Sequence, residues 1–167
     1  FWGGPDSLKL CFVLDCSVPI KKIDGWSEKG INPDVEAISG NNAGMVLDFG
    51  ELEGSEVLFK IALSYTTVDN AIENLNTELP HWDFEKIRKD TRDIWNEMFG
   101  RIAVEGGSQA QHIKFYTDLW HALLGRHKIT DVNGYYPDYT AGPYVNKRTA
   151  APMKIRRVPM DKTGKPT

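Results

Sequence analysis

The groups most capable of chemistry cluster between Asp131 and Tyr136. Asp131-Val132-Asn133-Gly134 resembles the first half of a calcium-binding loop, where alternating carboxylate and amide oxygens converge on the ion. The twelfth position of such a loop supplies a bidentate Glu; here it is Gly142, so the EF-hand reading fails. The ordinary reading is a turn in which Asn133-Gly134 supplies positive φ. Tyr135, Tyr136, Tyr139 and Tyr144 follow in a loop rich in Gly and Pro. Exposed aromatic faces can stack on the apolar C–H faces of sugar rings, so these tyrosines are candidate binding residues. Trp95 and Trp120 lie on apolar helical stripes and read as core.

Other constellations carry less. His81, His112, His121 and His127 show neither the i, i+4 pairing nor the H-E-x-x-H spacing of a metal site and read as exposed or capping residues. Glycoside hydrolysis needs two carboxyl groups, one protonated and one ionised. Acidic residues are plentiful, but spacing singles out no such pair. Asp83, Glu85, Asp90, Asp93 and Glu97 are explained by helix capping and solvation. No phosphate-binding glycine loop and no G-x-S-x-G elbow occurs.

Elements that could position these groups follow from periodicity. Residues 8–18 alternate, with Leu8, Leu10, Phe12, Leu14, Cys16 and Val18 on one face, which predicts a strand with that face buried. Further strands are expected around residues 20–26, 43–49 and 55–65, the last two joined by a hairpin link over residues 50–54. At Thr66 the period changes to three and four. Val68, Ala71, Ile72, Leu75 and Leu79 predict a helix capped by Thr66 or Thr67 and stopped by Pro80. Asp83 is expected to cap a second helix carrying Phe84, Ile87, Ile94, Trp95 and Met98, closed by Gly100. A short strand over residues 102–104 and a Gly106-Gly107 turn come next. Ser108 and Gln111 form a capping box opening a third helix, which Gly125 ends. From Asp131 onward no period is visible, and the remainder reads as a long irregular insertion or lid. Strands followed by helices make an α+β chain with two architectures in series rather than a βαβ unit.

Composition bounds the partners. In 167 residues, 41% are hydrophobic and 26% charged, which is enough for a packed core. The net charge of −3 gives no reason to expect nucleic-acid binding. The stretch 141–167 is basic, with seven Lys/Arg against one acid. It reads either as a solvated loop paired with acidic surface or as an anion-binding tail. No run approaches the roughly 20 apolar residues of a membrane span. Cys11 and Cys16 lie on opposite faces of one expected strand about 16 Å apart, too far for a disulfide. The start at Phe1 suggests a processed chain or an excised piece.

Two long runs resemble glycoside hydrolase family 92. The first is FKIALSYTTVDNAIENLNTELPHWDFEKIRKDTRDIWNEMFGRIAVEGG, beginning at Phe59. It is similar to the family's strand ending in I-S-x-x-S-x-E-x-A-x-x-N-L and its following W-D-F…W-N-x-x-L helix. The second, IKFYTDLWHALLGRHKITDVNGYYPDYT from Ile113, resembles the F-Y-T-x-L-Y-H-x-L-L helix and the S-D-V-x-G-x-Y turn that opens the family's catalytic domain. Asn133 stands where the family commonly has Asp, and Thr130 where it has Ser.

The resemblance implies an antiparallel β-sandwich followed by helices leading into an (α/α)6 barrel that is mostly absent. The divisions implied are 1–66 for the end of the sandwich, 67–107 for a helical linker and 108–167 for the start of the catalytic domain. It implies exo-acting, inverting, calcium-dependent hydrolysis of α-mannosides by a secreted, periplasmic or cell-surface bacterial enzyme. The implied partners are mannose-containing glycans and the rest of the barrel. Catalytic acids and calcium ligands are expected beyond Thr167, with no cofactor held by this chain. The turn following the first barrel helix should lie near the sugar site, which makes Asp131, Asn133, Tyr135 and Tyr136 candidate substrate-binding residues. Alternatively, Asp131 only caps its own turn. The competing function is a stand-alone carbohydrate-binding or interaction module. Three amphipathic helices after the last strand argue against it.

Overall fold

The structure is a computed structural model that describes residues 9–52, 54, 56–125, 128–138 and 154–164. Two compact units divide it, one built from the segments up to Val13 and from Ala62 onward, the other from Leu14–Ile61. Tyr139 and Tyr144, His127 and most of the basic stretch lie outside the described residues.

Strand β1, Cys11–Cys16, pairs with β5, Phe59–Ser64. A second sheet has the order β3-β2-β4, made of Gly30–Asn32, Lys22–Ser27 and Ala43–Asp48, all antiparallel. β4 therefore pairs with β2 through Lys22↔Asp48 to Ser27↔Ala43, and the expected hairpin over residues 50–54 does not form. A short link permits a hairpin but does not dictate one. Here β2 takes the β4 edge and β1 takes β5.

The expected burial of β1 is reversed. Phe12 is 64% exposed and Leu14 36%, whereas Cys11, on the other face, is 7% exposed. β5 repeats the arrangement, with Phe59, Ile61 and Leu63 outward and Ala62 and Ser64 buried. Alternation correctly marks a two-faced strand, but the inner positions hold small side chains. The face with the large apolar side chains is the exposed one, although Phe49 packs edge-on against Phe59 with ring centroids 5.9 Å apart. Both cysteines are free thiols, and partial burial followed by the Asp15 charge pushes the Cys16 thiol up.

Helix α1, Val68–Glu78, is capped by Thr67, whose side chain accepts the Asn70 N–H. Ala71, Asn74 and Leu75 form its buried side. Helix α2, Phe84–Phe99, begins at the Asp83 cap and ends at Gly100, but none of its residues is buried. Helix α3, Gln109–Leu124, opens with the complete Ser108/Gln111 capping box and also buries nothing. Gly106 and Gly107 make the turn before it, both at positive φ. Residues 102–104 are not a strand. Ile102 instead closes the turn after α2 by donating its N–H to Phe99 O.

Past α3 the chain is more regular than its sequence suggests. β6, Tyr135–Asp138, pairs antiparallel with β7, Lys154–Arg157, from Tyr135↔Arg157 to Asp138↔Lys154. Pro137 hides this strand from a pattern reading, since proline cannot donate to a ladder. β7 hides as Lys-Ile-Arg-Arg, with all four residues exposed.

Candidate functional site

The most buried carboxylate among the described residues is that of Asp131, at 3% exposure. Two neighbouring elements face it. β5 ends in Ser64, and the chain then turns through Thr66 into α1, whose Asn70 and Asn74 are one helical turn apart. One-turn spacing puts both amides on the same side of the helix.

Asp131 Oδ2 accepts from Ser64 Oγ at 3.0 Å, Thr66 Oγ1 at 2.5 Å and Asn70 Nδ2 at 3.1 Å. Oδ1 accepts from Asn74 Nδ2 at 2.8 Å. Each hydroxyl has one proton to give the carboxylate, and the two hydroxyl oxygens lie 2.9 Å apart. Their lone pairs are used as well, Ser64 Oγ accepting the Thr66 N–H at 3.0 Å and Thr66 Oγ1 accepting Asn70 Nδ2 at 2.7 Å. Asn74 ties three segments together. Its amide also donates to Leu63 O at 2.9 Å, and its carbonyl accepts the Val132 N–H at 2.9 Å. The Asp131 backbone closes the turn by donating to Tyr135 O and accepting from the Gly134 N–H, both at 2.8 Å. Buried charge is tolerated only with such full hydrogen bonding.

The four candidate residues share this turn and strand but differ in setting. Asp131 points inward. The Asn133 side chain donates to Asn70 Oδ1 at 2.9 Å and Glu73 Oε2 at 2.6 Å. Positive φ occurs only at the glycine of the pair, Gly134 at +84°. Tyr135 is half-buried with the Arg157 guanidinium 5.2 Å over its ring, a cation–π contact that occupies a face a sugar would use. Tyr136 is half-buried, in register with Arg156, whose Nε–H donates to the buried Asp138 carboxylate. Ser64, Thr66, Asn70 and Asn74 escape a motif reading. The available signal was a run of polar residues on the inner face of β5 and α1, beside Ala62 and Ala71.

An open cavity of about 280 Å³ adjoins the cluster, lined in part by Asn74, Glu78, Lys128, Thr130 and Asp131. The Thr130 hydroxyl oxygen is buried there without a hydrogen-bond partner among the described residues. A second cavity, about 450 Å³, is apolar and lined by Phe99, His112, Ile113, Tyr116, Thr117 and Trp120. His112 is tied back to Gly106 O, and the His81 ring accepts the Asp83 N–H. No three His, Cys, Asp or Glu side chains converge as metal ligands among the described residues.

Comparison with known proteins decides what this frame belongs to. Residues 70–152 match the glycosyl hydrolase family 92 catalytic domain. The chain belongs to glycosyl hydrolase family 92. An uncharacterized secreted glycosidase of Arthroderma benhamiae is 28% identical over 83 residues, 47% of this chain and 11% of that protein. The solved structure of a family 92 inverting mannosidase from Bacteroides thetaiotaomicron aligns over 93% of this chain and 20% of its own, with a TM-score of 0.75 and 21% identity. A second family 92 glycosyl hydrolase structure, ccman5, aligns over 76% of this chain and 17% of its own, with a TM-score of 0.71 and 25% identity. This family 92 chain thus has the mixed fold of those enzymes, antiparallel sheets with three helices, and spans about a fifth or less of their length.

Proposed function

We propose that this chain is part of an exo-acting α-mannosidase that hydrolyses the α-mannosides of glycans with inversion, and that its own contribution is architectural. The carrying observation is the family 92 catalytic-domain match over residues 70–152, joined to a backbone shared with a mannosidase. In the intact enzyme a carboxylic acid protonates the leaving oxygen while a carboxylate activates water. The most deeply buried carboxylate among the described residues is unsuited to either task, because four donors already hold its oxygens. Acid, base and calcium ligands belong to the remainder of the enzyme.

In this reading residues 1–66 end a β-sandwich, 67–107 link, and 108–167 open an (α/α)6 barrel. Exposed Ile94, Ile113 and Trp120 suit helices that another layer covers. The secreted fungal relative supports export from the cell, and no described helix is long and apolar enough to cross a membrane. Asp131 holds the entry turn of the barrel against the β5–α1 corner, and any contact of this turn with the sugar runs through Asn133, Tyr135 or Tyr136.

Two assays test the reading. The chain alone, given an activated α-mannoside and calcium, should show no turnover above buffer. The full-length enzyme should hydrolyse the same compound, with β-mannose as the first product seen by NMR. Turnover by the pure chain would place the site within these residues. Full-length protein that binds mannosides without cleaving them would favour a binding module instead.

A further inference from the structure

We propose that Asn133-Gly134 is a deamidation site masked by the fold, so that its conversion records each opening of the 131–135 turn. The pair is the only Asn-Gly in the sequence. The chemistry is intrinsic to it, because glycine has no side chain to shield its backbone nitrogen. That nitrogen gives its proton to a solvent base and attacks Asn133 Cγ. A ring N–C bond forms, the bond from Cγ to the side-chain nitrogen breaks, and that nitrogen leaves as ammonia after taking up a proton. Water then adds to either carbonyl of the succinimide and opens it to an aspartyl or isoaspartyl residue. One water is consumed, one ammonia is released, and nothing is oxidised or reduced.

The folded turn restrains the groups this reaction must move. The Gly134 N–H donates to Asp131 O at 2.8 Å, which keeps its proton and fixes its direction. The Asn133 amide nitrogen is turned away, toward α1, by Glu73 Oε2 at 2.6 Å and Asn70 Oδ1 at 2.9 Å. Its carbonyl oxygen accepts the Tyr135 N–H at 3.3 Å. The peptide groups on either side are held too, Asn133 O by Arg157 Nε at 2.8 Å and Gly134 O by the Val158 N–H at 3.0 Å. Ring closure requires the side chain to leave Glu73 and Asn70 and the turn to release Gly134.

Conversion is also self-locking. A carboxylate at position 133 would face the Glu73 carboxylate and the Asn70 carbonyl oxygen, two acceptors. The Asn70 amide hydrogens are committed to Thr66 and Asp131. Like charges at this distance repel, so the closed arrangement is disfavoured once ammonia has left. The same geometry explains why Asn suits position 133 beside Glu73.

The test follows residue 133 by peptide mass spectrometry in the whole chain at mildly alkaline pH, with and without urea. Deamidation should be at least about tenfold slower in native buffer, the ratio equivalent to about 1.4 kcal/mol of local opening. The E73A variant, at an exposed helix position, should deamidate faster than the parent in native buffer, with its helical circular dichroism retained. N133D should lower the melting temperature, and E73Q should restore part of that loss in the N133D background. Equal rates with and without urea, an unchanged rate in E73A, or no recovery by E73Q would each overturn the proposal.

Discussion

The β5–α1 corner and the α2–α3 pair are built from opposite materials. At the corner, Ser64, Thr66, Asn74 and Asp131 are buried with Ala62, Ala71 and Leu75. Polar atoms fill the interior there, and hydrogen bonds fix which residues meet. Along α2 and α3 large apolar side chains recur, yet no residue of either helix is buried. Phe84, Ile94 and Ile113 are each about 60% exposed. Both helices are well capped, and α2 is laced with i, i+4 pairs such as Lys86–Asp90 and Lys89–Asp93. Local devices therefore specify α2 and α3 as helices, whereas the corner is specified as tertiary structure. Hydrophobic pattern locates surface that some layer must cover, but it does not reveal whether that layer lies in the same chain.

The largest effect should come from removing the charge at the centre of the corner. D131N puts amide hydrogens where donors already point, so at least one buried donor loses its acceptor. About 3 kcal/mol of unfolding free energy should be lost in urea titration. In the full-length enzyme the same variant separates anchoring from substrate contact. Anchoring predicts lower stability, while a substrate role predicts a loss of kcat/KM of at least about tenfold with unfolding unchanged.

A71L should come next. Ala71 is fully buried on α1, and the added volume has nowhere to go. Destabilisation of about 2 kcal/mol is expected, and an equal-sized change at exposed Ile113, such as I113A, should be far milder in this chain. A comparable penalty at both positions would erase the contrast between the two regions.

The smallest effect is expected on α2. Lys86 and Asp90 are both about half exposed, so K86A should cost no more than about 0.5 kcal/mol, and less in high salt. A loss above about 1.5 kcal/mol would mean that α2 takes part in the folded core.

What the sequence discloses follows the same division. Caps are local chemistry, so Thr67, Asp83 and the Ser108/Gln111 box were legible from single residues and short spacings. Strand faces were legible as faces but not as inside and outside, because Cys11, Ala62 and Ser64 look unremarkable beside Phe12 and Ile61. β6 and β7 were invisible because proline and arginine disguise them. Asp131 was legible as a residue of consequence but not in its orientation. Its partners lie 57 to 67 positions away, on two other elements. No spacing rule connects an aspartate in a turn with two hydroxyls and two amides so distant in the chain.

Native-state hydrogen exchange reads the central claim, that the buried polar corner rather than the helix pair holds this chain together. Amide protons of Thr66, Ala71, Leu75, Val132 and Gly134 should exchange at least about tenfold more slowly than those in the middle of α2, from Arg88 to Trp95, a gap of about 1.4 kcal/mol in opening free energy. Protection in α2 equal to or greater than that at the corner would contradict the account.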